Sequence, residues 1–265
     1  ITNASSNTVS KVNPATGAKT DYATGSGPRG VAFDGTSIWV ANFGSSTVSK
    51  INPNGVAPGT PINYTTGSSP LGVAFDGTNI WVTNFASNTV SKINPNGAAP
   101  GTPINYTTGT YPAGVAFDGT NIWVANSNVG SGTVSKINPN GLAPGTPVNY
   151  AAGSEPVWVA FDGSNIWVTN TSSNTVSKIN PNAAAPGTPI NYTTGSSPYG
   201  VAFDGTNIWV ANWSSNTVSK INPNAAAPGT PINYTTGSSP WGVAFDGSNI
   251  WVANWNSNTV SKIVP

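Results

Sequence analysis

One block of sequence recurs along the chain at nearly constant spacing. The triplet Phe-Asp-Gly begins at Phe33, Phe75, Phe117, Phe161, Phe203 and Phe245. The successive steps measure 42, 42, 44, 42 and 42 residues. A period of about 40–45 residues is typical of an array of four-stranded propeller blades. Because one such block is too small to bury its own faces, the copies must stack on one another.

Each block contains four predicted strands separated by turn signals. In the second copy they lie in "GVAFD", "NIWVTN", "NTVSKI" and "INYTT". An Asp-Gly turn joins the first two strands, and the Pro- and Gly-rich segment "NPNGAAPGTP" joins the last two. Apolar residues on both sides of the second strand indicate a sheet buried between neighbours. We therefore expect Ile80 and Val82 to face away from Trp81.

These blocks predict a single all-β domain over residues 1–265. The predicted fold is a six-bladed β-propeller with four antiparallel strands in each blade of about 42 residues. Blade repeats begin near residues 30, 72, 114, 158, 200 and 242, and residues 1–29 supply closing strands. The closing blade is then shared by the two termini. "SNTVSK" occurs at both Ser6–Lys11 and Ser257–Lys262, so two copies compete for one position, and we expect the N-terminal copy to occupy it.

Composition excludes several classes of function. Charged residues make up 6% of the chain and the net charge is +1, which gives no electrostatic basis for binding nucleic acid. The chain has no Cys and no His, and the repeated Ser and Thr have no neighbouring base to activate them. We therefore predict no catalytic residue, no metal, no cofactor and no enzymatic activity. No apolar run is long enough to predict membrane insertion. A polar surface built from Asn, Thr and Ser suits a secreted or cell-surface protein.

Two repeated charged positions have alternative interpretations. The turn aspartates, one in each copy, either form a ring that binds a cation or cap their own turns through their side chains. We favour capping for this set: Asp34, Asp76, Asp118, Asp162, Asp204 and Asp246. The repeated lysines either form a basic belt or lie singly on outer strands. Sequons such as "NYT" are modified only if the host glycosylates the protein.

The positions that differ between copies identify the candidate ligand-binding residues. They follow the second strand or flank the proline that links one copy to the next, and many are aromatic. The candidates are Arg29, Phe43, Leu71, Phe85, Tyr111, Glu155, Trp158, Tyr199, Trp213, Trp241 and Trp255. Tyr and Trp combine a large apolar area with a polar handle. A neutral polar ligand, a glycan or a peptide, fits such a face. The alternative is drift after duplication, with the aromatic rings filling crevices between blades.

The motif "PxGVAFDGTNIWVAN…NTVSKINP" resembles the NHL/YVTN-type propeller repeats of the virginiamycin B lyase-like superfamily, and the resemblance covers essentially the whole chain. It implies a propeller architecture. The lyases of this group are expected to use a histidine general base and a magnesium site with acidic ligands. This chain has no histidine, and Glu155 is its single glutamate. The resemblance thus supports the architecture and argues against that chemistry.

The sequence favours a non-catalytic extracellular binding module. It is either a monomer or self-associates through the surplus terminal strand. A second hypothesis is a structural repeat unit of an extracellular assembly or filament, or a designed symmetric propeller. A third, weaker hypothesis is an enzyme of the lyase or lactonase type.

Overall fold

The computed structural model describes residues 1–130 and 132–265, which form antiparallel β-sheets in sequence order. The first sheet comprises β1 (Thr2–Asn3), β2 (Thr8–Val12) and β3 (Lys19–Ala23). The second and third sheets comprise β4 (Pro28–Phe33), β5 (Ile38–Asn42), β6 (Thr47–Ile51), β7 (Ile62–Thr65), β8 (Pro70–Phe75), β9 (Ile80–Asn84), β10 (Thr89–Ile93) and β11 (Ile104–Thr107). The fourth comprises β12 (Pro112–Phe117), β13 (Ile122–Asn126), β14 (Thr133–Ile137) and β15 (Val148–Ala151).

The remaining sheets repeat this plan. The fifth and sixth comprise β16 (Pro156–Phe161), β17 (Ile166–Asn170), β18 (Thr175–Ile179), β19 (Ile190–Thr193), β20 (Pro198–Phe203), β21 (Ile208–Asn212), β22 (Thr217–Ile221) and β23 (Ile232–Thr235). The seventh comprises β24 (Pro240–Phe245), β25 (Ile250–Asn254) and β26 (Thr259–Ile263). The all-β prediction is confirmed. In the part of the chain that is described, no helix is long and apolar enough to cross a membrane.

The prediction of six blades with a closing blade shared by the termini is wrong. The described residues form seven propeller blades, of which the first and last have three strands and the others four. The strand β1 (Thr2–Asn3) pairs with β2 and takes the place that the second strand has in the other blades. The N-terminal segment therefore forms a sheet of its own. The C-terminal "SNTVSK" copy contributes β26 to the last sheet. The two copies therefore do not compete for one position.

The chain forms two compact units. One contains Ile1–Val124 and Ile137–Pro147, and the other contains Ala125–Lys136 and Val148–Pro265. The first, second and third sheets lie in the first unit. The fifth, sixth and seventh lie in the second.

In the first unit the two faces of the third sheet are buried against different neighbours. Ile80 and Val82 pack in a cluster with Trp39 of the second sheet. Trp81 packs in a separate cluster with Ile122, which comes from the following sheet. All of these side chains are fully buried. The predicted two-sided burial of the second strand is therefore confirmed.

The second unit repeats this packing. Trp167 lies in one cluster with Ile208 and Val210 of the following sheet. Trp209 lies in the next cluster with Ile250 and Val252. The second, third, fifth and sixth sheets thus each place a tryptophan against the aliphatic side of the sheet that comes after it.

A polar row crosses each four-stranded sheet, and the third sheet illustrates it. The side-chain amide of Asn84 donates to the hydroxyl of Ser91 at 2.8 Å. That hydroxyl donates in turn to the side-chain oxygen of Asn105 on the fourth strand, also at 2.8 Å. Ser91 and Asn84 are fully buried. Buried polar groups need such partners, which is one reason why the composition is rich in Asn and Ser.

Polar contacts also join consecutive sheets at their outer strands. Lys50 Nζ donates to the carbonyl of Pro95 at 2.7 Å and lies 5.4 Å from the ring centroid of Trp39. The hydroxyl of Tyr64 donates to the carbonyl of Gly97 at 3.0 Å. Pro95 and Gly97 belong to the long loop of the following sheet. Lys92, Lys136 and Lys178 make the same contact, so the repeated lysine of these four sheets lies singly on its strand and joins its sheet to the next loop.

The innermost strands approach one another closely within each unit. A Cβ atom built on Gly72 of β8 would lie 2.5 Å from the carbonyl oxygen of Ala113 in β12. Such a distance is shorter than a van der Waals contact, so any other residue at Gly72 would push these two strands apart.

Candidate functional site: two aromatic clusters

A repeated β-bulge positions the variable residues that follow the linking proline. In the sixth sheet Pro198 pairs with Asn212, and Val201 pairs with Val210, so β20 has one more residue than β21 between these pairs. Such a bulge bends the strand and redirects its side chains. Tyr199 lies within the irregular stretch. Trp213 follows Asn212, and its backbone nitrogen donates to the carbonyl of Ser197 at 2.9 Å.

The second unit brings four of the predicted residues into one cluster, which we call the tryptophan cluster: Tyr199, Trp213, Trp241 and Trp255. The centroids of Tyr199 and Trp241 are 4.4 Å apart, and those of Trp213 and Trp241 are 5.4 Å apart with nearly perpendicular planes. Trp255 lies 5.6 Å from Trp241. Trp255 is exposed and the other three rings are half-buried. The cluster is therefore a continuous aromatic surface.

Glu155 supplies negative charge near this cluster. Its carboxylate accepts a hydrogen bond from the hydroxyl of Ser172. Burial raises the pKa of the Tyr199 hydroxyl, and the charge of Glu155 adds to the rise. Tyr199 therefore stays protonated over the physiological range and can donate a hydrogen bond to a ligand. Glu155 has a backbone φ of 56°, a left-handed conformation that glycine adopts more readily.

The first unit contains a smaller group, which we call the phenylalanine cluster: Arg29, Phe43, Phe85 and Tyr111. The rings of Phe43 and Phe85 are 6.4 Å apart, and Tyr111 lies 5.1 Å from Phe85. The guanidinium carbon of Arg29 lies 5.8 Å from the Phe43 ring centroid. Tyr111 is 49% exposed. This cluster thus pairs aromatic area with a positive charge.

Besides Glu155, two of the predicted residues belong to neither cluster. Leu71 is half-buried on β8. Trp158 packs against the buried cluster that contains Trp167. Its backbone nitrogen donates to the hydroxyl of Thr169 at 3.1 Å, and that hydroxyl donates to the carbonyl of Tyr199 at 2.6 Å.

Thr169 is a positioning residue that sequence reasoning missed. It holds β16 and the backbone of Tyr199 together, and Thr83 makes the equivalent contacts to Gly72 and Ala113. The signal was present in the sequence, because most copies have alanine at this place and the second and fourth have threonine.

The turn aspartates cap their own turns, as predicted. In the third sheet, Asp76 Oδ1 accepts hydrogen bonds from the backbone nitrogens of Thr78 at 2.8 Å and Asn79 at 2.6 Å. Its other oxygen accepts a hydrogen bond from Trp81 Nε1 at 2.7 Å. Both carboxylate oxygens are thus engaged within the sheet. Among the described residues, no group of three or more His, Cys, Asp or Glu side chains is arranged to hold a metal ion.

Two concavities lie away from both clusters. One is lined by Tyr192, Lys220 and Asn222, and the other by Tyr64, Asn94 and Pro100. Both lie where the long loop of one sheet meets the fourth strand of the sheet before it. They contain no member of the tryptophan cluster or the phenylalanine cluster.

Residues 1–263 match the model of the virginiamycin B lyase family. This chain belongs to that family. The resemblance seen in the repeats is confirmed. Comparison with curated proteins gives no significant match.

Solved structures share the fold of this family member. A catalytically inactive virginiamycin B lyase from Staphylococcus aureus with quinupristin is 19% identical, with a TM-score of 0.79 over 98% of this chain and 88% of that one. A putative 6-phosphogluconolactonase from Bacteroides fragilis is 17% identical, with a TM-score of 0.68 over 96% and 85%. A chain in a nidogen–laminin complex is 14% identical, with a TM-score of 0.69 over 89% and 94%. At these identities the likeness establishes the fold alone, because one fold hosts many functions.

Proposed function

We propose that this member of the virginiamycin B lyase family is a non-catalytic extracellular binding protein. The tryptophan cluster carries the proposal. Its rings form one continuous, partly exposed surface and stand at positions that differ between copies of the repeat. A neutral polar ligand, a glycan or a peptide, is the class of molecule that this surface fits.

The repeat's own packing does not require these rings. In the second unit the core clusters are built from the constant residues of each copy, such as Trp167 and Trp209. The position of Trp213 is occupied by Thr171 in the fifth sheet, and that of Trp241 by Val157. Since other copies have Thr or Val at the same places, the repeat does not require aromatic rings there.

The character of the cluster favours recognition over catalysis. Aromatic rings in mutual contact offer apolar area at a low entropic cost, together with the polar atoms of Tyr199 and the indoles. A sugar ring or a peptide side chain can lie flat on such a surface. The sequence contains no histidine to act as a general base, and Glu155 places a negative charge near Tyr199.

The proposed location and partners rest on composition and fold. The Asn-, Thr- and Ser-rich surface suits a secreted or cell-surface protein. One structure with the same fold belongs to a nidogen–laminin complex. A peptide or protein ligand is therefore tested beside glycans.

The test is a binding screen followed by a matched pair of double variants. The probes are a printed array of neutral oligosaccharides and an array of uncharged peptides. For any probe that binds, Trp213→Ala with Trp241→Ala should weaken affinity at least about tenfold, which corresponds to 1.4 kcal/mol. The control is Phe43→Ala with Phe85→Ala, which removes aromatic rings at comparable positions in the other unit. Binding should be retained by this control.

Two outcomes contradict the proposal. The first is an absence of saturable binding on both arrays. The second is unfolding of the Trp213→Ala, Trp241→Ala protein in a thermal melt, which would show that these rings are packing residues.

A lyase-type enzyme is the second candidate, and the family match over residues 1–263 favours it. The assay is incubation with quinupristin, which is present in the related lyase structure, followed by mass spectrometry to detect its chemical conversion. Turnover that survives in the double variant would support a catalytic function independent of the tryptophan cluster.

A further inference from the structure

The phenylalanine cluster combines three aromatic rings with one cationic side chain. The ring centroid of Phe85 lies 6.4 Å from that of Phe43 and 5.1 Å from that of Tyr111. The guanidinium carbon of Arg29 lies 5.8 Å from the Phe43 centroid. Arg29, Phe43 and Phe85 are half-buried, and Tyr111 is exposed. The cluster therefore presents an apolar surface beside a positive charge.

Tyr111 stands at a place where the fold does not need an aromatic ring. Its backbone φ is 55°, in the left-handed region that residues other than glycine seldom adopt. Two other copies have serine at the equivalent place, Ser69 with a φ of 55° and Ser197 with a φ of 53°. The same turn thus forms with a small polar residue. The Tyr111 ring is 49% exposed in the first unit, beside Phe85.

Arg29 is a charged residue at a position that is otherwise uncharged. The other copies have these residues after the linking proline: Leu71, Ala113, Val157, Tyr199 and Trp241. The position is also half-buried at Leu71 and Tyr199, each of which follows a sheet of four strands. The repeat therefore does not require a charge here, and the position is partly accessible in other copies as well.

The guanidinium of Arg29 is suited to binding a carboxylate. Burial lowers its pKa, but arginine has an ordinary pKa of about 12.5 and remains charged at neutral pH. Where a guanidinium contacts a ring through its face, its N–H groups stay available in its own plane. Two of them can donate to both oxygens of one carboxylate. A carboxylate beside Phe43 would thus gain hydrogen bonds as well as charge neutralisation.

We propose that the phenylalanine cluster is a second binding site, which takes an acidic sugar chain of the uronic acid type. One sugar residue places its carboxylate on Arg29 and its ring on Phe43, and the neighbouring residue lies on Phe85 and Tyr111. A uronic acid holds its carboxylate at the edge of a ring, whereas an acidic peptide carries it on a flexible side chain. Less conformational entropy is therefore lost when the sugar binds. This site is separate from the tryptophan cluster and its neutral ligand.

The experiment titrates the full chain with trigalacturonate and with the methyl ester of the same trimer, which lacks the charges. Isothermal titration should give one site for the acid, weakened by added salt, and at least about tenfold weaker binding of the ester. Arg29→Leu introduces the residue of the third sheet and should weaken binding of the acid at least about tenfold. Tyr111→Ser introduces the residue of other copies. It should weaken binding by about threefold or more without lowering the melting temperature.

The control for charge is Lys19→Gln, which removes one positive charge from an exposed side chain of the same unit and should leave binding unchanged. The double variant Phe43→Ala with Phe85→Ala should lose the acidic trimer, and Trp213→Ala with Trp241→Ala should retain it. A neutral ligand on the tryptophan cluster should show the reverse pattern, so the two proposals fail separately.

Four results overturn the proposal of an acidic sugar site. They are an absence of saturable binding at millimolar trigalacturonate, equal binding of the acid and its ester, equal losses in Arg29→Leu and Lys19→Gln, and tighter binding of triglutamate. The last result would assign the cluster to an acidic peptide.

Discussion

The indole nitrogen of Trp81 donates to the carboxylate of Asp76 at 2.7 Å, and the same carboxylate caps the turn between β8 and β9. The contact links the outside of a turn to a fully buried side chain. It recurs in other sheets, for example between Trp209 and Asp204 at 2.6 Å. The indole thus obtains its hydrogen-bond acceptor from its own repeat, whereas much of its apolar environment comes from the following sheet.

Removing this acceptor should destabilise the protein. Asp76→Ala leaves the indole nitrogen of Trp81 and two turn amides without partners, so unfolding should become easier by about 1–3 kcal/mol. Urea denaturation measures the change. Thr78→Ala is the control, because Thr78 contributes only its backbone nitrogen to the turn. Equal effects of the two substitutions would show that the Asp76–Trp81 contact contributes nothing.

Acid should destabilise the fold through the same carboxylates. Hydrogen bonds, chiefly from Trp251, lower the pKa of Asp246 to about 2. An unfolded aspartate titrates at about 3.9. The folded pKa is the lower one, so the stabilisation is complete above about pH 4 and is lost as the pH falls towards 2.

Thermal melts between pH 6 and pH 2 check this expectation. The melting temperature should change little down to about pH 4 and then fall. In Asp246→Asn, which cannot titrate at this position, the fall should be smaller. A melting temperature that is independent of pH over this range would contradict the expectation.

Two glycines at equivalent positions should respond differently to the same substitution. Gly72→Ala places a Cβ atom 2.5 Å from the carbonyl oxygen of Ala113, so the backbones must separate. We expect a loss of about 1–3 kcal/mol, as for other overpacking substitutions. At Gly242 nothing lies within 4 Å of the added atom, and Gly242→Ala should stay within about 0.5 kcal/mol of the parent. Equal stabilities of the two variants in chemical denaturation would show that the inner strands can separate without cost.

The buried and exposed tryptophans should also differ. Trp81→Ala removes a fully buried ring and should cost about 3–5 kcal/mol. Trp255 is 40% exposed, and Trp255→Ala should cost less than about 1 kcal/mol. Both are measured by equilibrium unfolding. A loss below about 1 kcal/mol for Trp81→Ala would mean that the sheets are not packed face to face.

Patterns within a single repeat were readable from the sequence. The opposed burial of Ile80 and Trp81 follows from strand geometry, and Asp-Gly identifies the turn that Asp76 caps. Counting the Phe-Asp-Gly triplets does not give the number of sheets. The first sheet starts at the strand that follows this triplet in the other copies, so it contains no triplet. The segment "ITNASSNTVSK" does correspond to "VTNFASNTVSK" farther along the chain, and this alignment would have revealed the seventh sheet.

The candidate site was only partly predictable. Differences between copies identified Tyr199, Trp213 and Trp241, but their mutual contact depends on a bulge and on the packing of neighbouring sheets. A bulge is a property of strand pairing and has no fixed sequence signal. For the same reason the sequence did not separate Trp158, which packs on the core, from the rings of the tryptophan cluster.

The hydrogen bonds between outer strands and loops all run from one sheet to the sheet that follows it in the chain. Lys50 and Tyr64 donate to the loop of the sheet that follows them in the chain, and that loop's own sheet donates onward to the next. Each repeat therefore carries one set of donors for its successor and one set of acceptors for its predecessor. Inserting a whole repeat adds one set of each, so the array can lengthen by duplication without creating a new unsatisfied group at any internal junction.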